Sequence, residues 1–413
     1  MYDRFHLPAI VDALTDTPVI VINGARQTGK STLCHQVIHA AMQEAQYVTF
    51  DDLTALAAAK TDPENFVAGL QRQVVLDEVQ RVPELLLTIK KFVDQDRKER
   101  RFVLTGSADV MTLPKVSESL AGRIEIHNLW PLSQEEIQGN PSGFLEALIS
   151  AESTFKAVHT PWDTLMRMMV MGGYPEVLAR PSGVRQEKWF SSYMQSILQK
   201  DIRELANIDG LTEIPRLLEI MADRVGSLLN LTDVSRLLGM PKTTLNRYYA
   251  LLQHVFLVVQ LPAWTPNQEG RVVKSPKVFL NDTGLLCHLR GLDVTSLQQQ
   301  RHQAGAVLEN FVVMALLKQL TWAKPGEGAG LKAYHFRTHK GHEVDVVLED
   351  RRKRLFGIEV KAAASVEAKD FKGLRYLQEM RPEQFQKGVV LYTGGEVLQF
   401  GQDLWAVPIS ALW

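Results

Sequence analysis

One octapeptide constrains this chain more than any other feature. Gly24-Ala25-Arg26-Gln27-Thr28-Gly29-Lys30-Ser31 meets every fixed position of the pattern G-x-x-x-x-G-K-[ST]. Val19-Ile20-Val21-Ile22, a β-branched run of strand length, precedes it, and Thr32–Gln43 follows with a pattern that predicts a helix. A strand that turns through two glycines into a helix leaves backbone N–H groups facing a concavity, and the helix dipole adds positive potential there. Such a loop is suited to enclosing phosphates; the competing reading is a glycine-containing turn that matches by coincidence.

The surrounding residues fit a covered parallel sheet. Tyr47–Phe50, Val74–Leu76 and Phe102–Leu104 are further short apolar runs separated by helical patterns, which is how parallel strands with crossover helices read. The third run ends in Asp77-Glu78. A carboxylate at a buried strand end beside a phosphate loop is placed to hold Mg²⁺, and a second can polarise a water, so Asp77 is assigned to the metal and Glu78 to the nucleophile. Leu104-Thr105-Gly106-Ser107 ends the next strand, and either Thr105 or Ser107 is the candidate sensor of the terminal phosphate. Arg123, in Ser119-Leu120-Ala121-Gly122-Arg123, is read either as a charge-stabilising arginine, in cis or from a neighbouring subunit of a homo-oligomer, or as a structural salt-bridge residue. The expected ligand is ATP with Mg²⁺, bound by Gly24, Ala25, Arg26, Gln27, Thr28, Gly29, Lys30, Ser31 and Thr32, with Ser31 and Asp77 on the metal.

The length of 413 residues predicts two or three domains. After residue 140 the alternation gives way to helical periodicity, with Trp189, Tyr193, Ile197 and Ile202 near one face and a turn at Gly172-Gly173-Tyr174-Pro175. Thr232–Leu238, a turn at Gly239-Met240-Pro241, and Lys242–His254 read as a helix-turn-helix followed by an apolar strand and a β wing. Lys242, Thr243, Thr244, Asn246 and Arg247 would stand at the start of the second helix, where base-reading residues sit; a packing or protein-binding role is the alternative. The expected division is 1–140, 141–290 and 291–413.

The last segment returns to α/β character, with Val307–Leu320 as a helix, Val344–Leu348 and Leu355–Val360 as strands, a helix at Ala368–Glu379 and a strand at Gly388–Tyr392. Alternation puts Glu359 and Lys361 on one face of their strand, where a hairpin brings Asp345 near them. Two carboxylates and a lysine on one sheet surface are costly to bury without pairing or a function. Three histidines, His335, His339 and His342, lack the spacing of a metal site, and Cys34 reads as a small core residue.

Together these landmarks resemble the AAA+-like branch of P-loop ATPases. More closely, they resemble a bacterial family of predicted ATPases with a C-terminal domain of unknown function. The resemblance rests on Gly24–Ser31, Leu76–Glu78, Leu104–Ser107, Leu120–Arg123, Gly172–Pro175 and the D…E-x-K pattern. That last pattern is similar to the PD-(D/E)xK nuclease fold, although Glu343-Val344 stand where its proline is expected. The resemblance implies Asp345 and Glu359 as Mg²⁺ ligands, Glu309 completing the shell and Lys361 orienting the attacking water, with an inactive binding module as the other outcome. The implied fold is a multidomain α/β chain with an N-terminal AAA+-like parallel sheet, a central helical and winged-helix region, and a C-terminal restriction-endonuclease-like domain.

Charge bears on partners. A net charge of -1 excludes a generally basic nucleic-acid coat, whereas Leu331 to Tyr376 holds eleven cations and seven acids, a local +4. DNA is the expected partner, read through its backbone, with a solvated hairpin tip at Arg351–Arg354 as the plainer account. A protein partner is the rival, in a regulatory switch that binds without cutting. Two cysteines, no apolar leader and no uninterrupted membrane-length apolar run lead to an expectation of a cytoplasmic protein with no membrane partner.

Overall fold

The computed structural model describes the chain apart from residues 1, 98–99, 109–121, 153, 199–201, 203–212, 267–269, 272–273 and 325. Leu120 and Ala121 of the Leu120–Arg123 stretch therefore lie outside the described residues.

Five parallel strands form the first sheet: β1 (Val19–Asn23), β2 (Gln46–Thr49), β3 (Gln73–Asp77), β4 (Arg101–Gly106) and β5 (Ile124–Asn128), in the order β2-β3-β4-β1-β5. All of β1 is buried, and its alternation sends successive side chains to opposite faces. Val19 and Val21 join Leu85, Ile89 and Val93 of helix Leu85–Gln95, while Ile20 and Ile22 join Ile10, Leu33, Cys34 and Val37 from helices Leu7–Ala13 and Lys30–Ala41. Each such side chain contributes about 1.5–3 kcal/mol through burial. Since β4 runs between β1 and β3, the carboxyl ends of these three strands lie side by side. Ligands of open α/β sheets bind at this edge.

Within this sheet β5 is the strand not expected from sequence; its half-exposed Ile-Glu-Ile-His-Asn pattern lacks the continuous apolar run of its neighbours. Helix Lys30–Ala41 begins at the motif lysine, two residues earlier than expected, because Gly29 adopts the left-handed conformation (φ 94°) that ends the loop.

The expected helix-turn-helix is present. Asn230 caps Leu231–Leu238 by accepting from the Thr232 and Asp233 N–H groups, so the helix opens before Thr232; Gly239 closes it in the left-handed region, and Pro241 precedes Lys242–His254. An antiparallel hairpin follows, β6 (Val258–Leu261) with β7 (Lys277–Leu280). Leu228 bridges to Lys277, which ties the hairpin to the turn after helix Glu213–Asp223.

The C-terminal sheet has six strands: β8 (Lys332–Arg337), β9 (Glu343–Glu349), β10 (Leu355–Lys361), β11 (Phe385–Tyr392), β12 (Leu398–Gly401) and β13 (Leu404–Pro408), ordered β12-β13-β11-β10-β9-β8. β10 and β11 are parallel, joined by helix Lys372–Met380, while β8, β9 and β10 form an antiparallel meander. Helix Arg301–Trp322 is the one helix, among the described residues, long and apolar enough to cross a membrane, yet 61% of its apolar window is buried inside the protein. It acts as a shared core helix. One continuous apolar cluster runs from Phe144 through Tyr174, Leu252 and Leu308 to Leu412, so the central and C-terminal regions are packed around a common interior.

Candidate functional site

The phosphate loop is assembled as the sequence predicts. A Cβ on Gly24 would lie 2.2 Å from the Leu129 carbonyl oxygen, so only glycine lets the loop pass beneath that strand end. Lys30 is buried, and its Nζ donates to the carbonyls of Gly24 and Ala25, both at 3.0 Å. The Thr28 hydroxyl donates to Ala25 O at 2.9 Å and braces the turn. Ala25 is buried, Arg26, Gly29 and Thr32 are half-buried, and Gln27 and Ser31 are exposed at the loop's mouth.

Asp77 gathers three hydroxyls. Ser31 Oγ donates to Oδ2 at 3.0 Å, the Tyr47 phenol donates to the same oxygen at 2.5 Å, and Thr105 donates to Oδ1. Burial and the adjoining Asp77 carboxylate push the Tyr47 phenol's pKa up, so it stays a donor. The Ser31 hydroxyl beside a carboxylate at a helix start is a donor set that suits Mg²⁺ with phosphate oxygens. Thr105, between the two strands, also accepts the Glu78 N–H at 3.1 Å. Glu78 is half-buried in the left-handed region (φ 60°), and its carboxylate accepts from Gln80 Nε2. Gln80 also donates to Ser107 Oγ at 3.0 Å, which joins both sensor candidates to the same acid pair. Tyr47 and Gln80 escaped sequence reading; Gln80, two residues beyond the acid pair, was the more visible of the two.

Arg123 stands elsewhere. Its carbonyl accepts from Val19 N–H at the opening end of β1, the sheet edge opposite the phosphate loop, and its guanidinium contacts Asp94 at 2.5 and 3.2 Å. The cis role is corrected by this register: four strand residues, roughly 13 Å, separate the two edges. The salt-bridge reading is the one the geometry matches.

The second cluster lies about the end of β10, in a cleft of about 540 Å³. Glu309, Asp345, Glu359 and Lys361 converge there, as the resemblance implied. Val360 N–H donates to Asp345 Oδ2 at 3.0 Å, and Lys361 Nζ lies 3.8 Å from Glu359. A further residue, Lys277 from β7, occupies the centre. Its Nζ is 2.8 Å from Glu309 Oε1, 2.8 Å from Glu343 Oε1 and 3.1 Å from Asp345 Oδ1. Burial opposes the Lys277 charge, but the carboxylates of Asp345, Glu309 and Glu343 hold it protonated. Burial and the Asp345 charge raise Glu309 to about 7. The same two causes raise Glu359, which shares a hydrogen bond with Asp345. Asp345, despite its burial, is held below the ordinary carboxylate range by Lys277, Glu359 and Val360 N–H. Two of the three expected metal ligands, Asp345 and Glu309, are therefore paired with an ammonium, and Glu359 lies beside Asp345 and Lys361 instead. Among the described residues no group of three or more His, Cys, Asp or Glu is arranged to hold a metal ion. No motif contains Lys277; its one trace in sequence is a lysine opening the wholly apolar run Val278-Phe279-Leu280.

The remaining candidates have ordinary surroundings. His335 is buried with Nε2 3.1 Å from Ser275 O, His342 stacks on Tyr376, and His339 is exposed. Burial pushes the Cys34 thiol up, as befits a core residue. Lys242, Thr243, Asn246 and Arg247 are exposed on the second helix, with Thr244 half-buried.

The Gly172–Pro175 turn joins these regions. Gly173 N–H donates to Asp282 at 2.6 Å, and its carbonyl accepts from Leu132. Tyr174, fully buried, pairs with the Tyr193 hydroxyl at 2.8 Å and accepts from Asn281 Nδ2 at 2.9 Å. Tyr193 in turn donates to the Arg26 carbonyl at 3.2 Å. A hydrogen-bonded path thus runs from the phosphate loop to the residue that follows β7.

Residues 16–138 match the AAA domain family, residues 163–296 a domain of unknown function (DUF8612) and residues 304–412 another (DUF4143). The uncharacterized protein Rv2008c of Mycobacterium tuberculosis is 28% identical over 354 residues, covering 86% of this chain and 72% of the relative. An uncharacterized protein of Haemophilus influenzae is 24% identical over 328 residues, 74% of this chain and 76% of that one. Among solved structures, the Thermotoga maritima RuvB Holliday junction branch migration motor overlaps 65% of this chain and 93% of its own at 18% identity, with a TM-score of 0.30. The strand order, the residues at the fixed positions of the phosphate loop and the matched families agree on an AAA+-like P-loop region at 16–138 followed by a C-terminal domain of unknown function at 304–412.

Proposed function

We propose that the chain is a nucleotide-driven switch that binds and hydrolyses ATP at Gly24–Ser31 and passes its state to a winged-helix and C-terminal body that engages DNA without cutting it. The observation that carries this reading is the path from the Arg26 carbonyl through Tyr193 and Tyr174 to Asn281. A loop that rearranges around phosphates pulls directly on the end of β7.

At the nucleotide, Lys30 turns from the Gly24 and Ala25 carbonyls to the phosphates, exchanging two neutral acceptors for charged ones. Ser31 and Asp77 would hold Mg²⁺, which supplies charge neutralisation at the phosphates. Glu78 orients the attacking water, and Thr105 keeps Asp77 and the Glu78 backbone in register. Engagement of DNA draws on Arg337, Lys361, Lys369 and Lys372 around the C-terminal cleft and on Lys242 and Arg247 of the exposed helix start. A protein partner on the same faces is the alternative, distinguished by affinity that does not fall with salt.

The test is binding of a fluorescent ATP analogue with Mg²⁺. Lys30→Ala should weaken it roughly a hundredfold, because charge-assisted bonds to phosphate are lost. Hydrogen exchange over 257–281 should change on nucleotide addition in the wild type and stay flat in Lys30→Ala. Undiminished binding by that variant sinks the placement of the site.

A further inference from the structure

Lys277 is the least expected group in the C-terminal cleft. It belongs to the hairpin, not to the sheet that carries the acids, and its side chain is 1% exposed. An ammonium has three N–H donors; here it donates to Glu309 Oε1 on helix Arg301–Trp322 and to Asp345 Oδ1 on β9, and Glu343 Oε1 on β9 lies 2.8 Å from the charge. The ion is therefore paired with three carboxylates where it stands.

Its seat is set by bonds that do not involve the side chain. Leu229 N–H donates to Pro276 O at 2.8 Å, Gly226 N–H donates to Val278 O at 3.0 Å, and Asn310 clamps both backbone groups of Leu280 at 2.8 and 3.0 Å. Val278, Phe279 and Leu280 are all wholly buried. Gly226, in the left-handed region, lies so near that a Cβ there would come within 2.7 Å of Glu309 Oε2. The backbone thus delivers the ammonium to a fixed point among the acids.

We propose that Lys277 is the resident cation of the C-terminal acidic site, taking the place a divalent ion would hold, so that the module works without metal. A divalent ion would have to compete for the carboxylate oxygens that Lys277 already pairs with, and a tethered ammonium competes at an effective concentration that free metal rarely matches. The carboxylates then serve to lock β7 to β9 and helix Arg301–Trp322, and the cleft meets its partner through the exposed cations of its rim. This inference concerns the cleft alone and is independent of nucleotide binding at Gly24–Ser31.

The test is Mn²⁺ binding by the full-length, nucleotide-free chain, followed by loss of the free-ion EPR signal. In the wild type, Asp345→Asn should leave Mn²⁺ uptake unchanged. Lys277→Met should gain an Asp345-dependent site, tighter than any in the wild type by roughly a hundredfold, the penalty of a competent state populated at about 1%. Asp345-dependent uptake of equal affinity in the wild type overturns the proposal, as does a folded Lys277→Met that gains none. Should unpaired carboxylates prevent that variant from folding, Lys277→Met/Glu343→Gln carries one acid fewer and gives the same two outcomes. Acylation of the wild type, read by mass spectrometry, provides a second measurement. Lys277 should stay protected in millimolar Mn²⁺, and its exposure by the ion would show that metal displaces it.

Discussion

Replacing Tyr174 by phenylalanine interrupts the path between the phosphate loop and β7 at its most enclosed point. The ring stays, so packing against Trp189 and Phe190 is retained and only the hydroxyl is lost. That oxygen pairs with Tyr193 and accepts from Asn281, whose own Oδ1 is buried and without a hydrogen-bond partner. Burial pushes the Tyr174 pKa up, so the group is a neutral donor throughout the working range. Leaving the Asn281 amide unsatisfied costs about 1–3 kcal/mol, and Tyr174→Phe should lose about 2 kcal/mol. Tyr193→Phe removes the same shared bond and the tether on the Arg26 carbonyl. The double variant should fall short of the sum by about 1 kcal/mol, since one bond is counted in both single changes. Urea unfolding read by tryptophan fluorescence measures this, with Trp189 stacked on Tyr193 at 4.8 Å as a local reporter. A loss below about 0.5 kcal/mol in Tyr174→Phe, or strict additivity of the pair, would refute the path as a physical connection.

Two further outcomes follow from groups described above. Glu78→Gln should keep Mg-ATP binding and lower hydrolysis roughly a hundredfold or more, as loss of a group that orients water requires; single-turnover phosphate release checks it. Acid should destabilise the fold early, because burial depresses His6 to about 3 and His127 and His335 to about 4. The unfolded chain takes up these protons near pH 6.5 and the native one does not, so stability is complete above about pH 6.5 and declines as pH falls towards 4. His6→Phe, at a ring with no hydrogen-bonded nitrogen and packed on Trp322, should make the acid limb of a thermal-melting series shallower; an unchanged limb contradicts the assignment.

What sequence could and could not convey follows from the range of the interactions. Gly24, Gly29, Lys30 and Ser31 are set by local backbone and one helix start, and Asp77 closes a strand whose apolar run is plain. These were legible. Arg123 depends on the register of β5, a strand masked by an alternating, half-exposed pattern. Lys277 depends on two long-range facts, the pairing of β6 with β7 and the seating of that hairpin against helix Arg301–Trp322. The acids around it were recognised because Glu359 and Lys361 share one strand face, whereas the neutralising charge comes from 82 residues before Glu359. Local pattern identifies a set of acids; only the tertiary fold identifies what balances them.

The apolar interior that runs without a break from Phe144 to Leu412 has a bearing on how motion can travel. Segments 163–296 and 304–412 share this interior, although the C-terminal sheet has a second cluster of its own about Phe371, Leu374 and Val390, so the shared interior couples any movement of one to the other. On the proposed reading, a movement begun at the phosphate loop reaches this shared interior through contacts such as Tyr193 with Arg26, Lys318 with Leu132, Gly173 with Leu132, and Trp322 with Phe5 and His6.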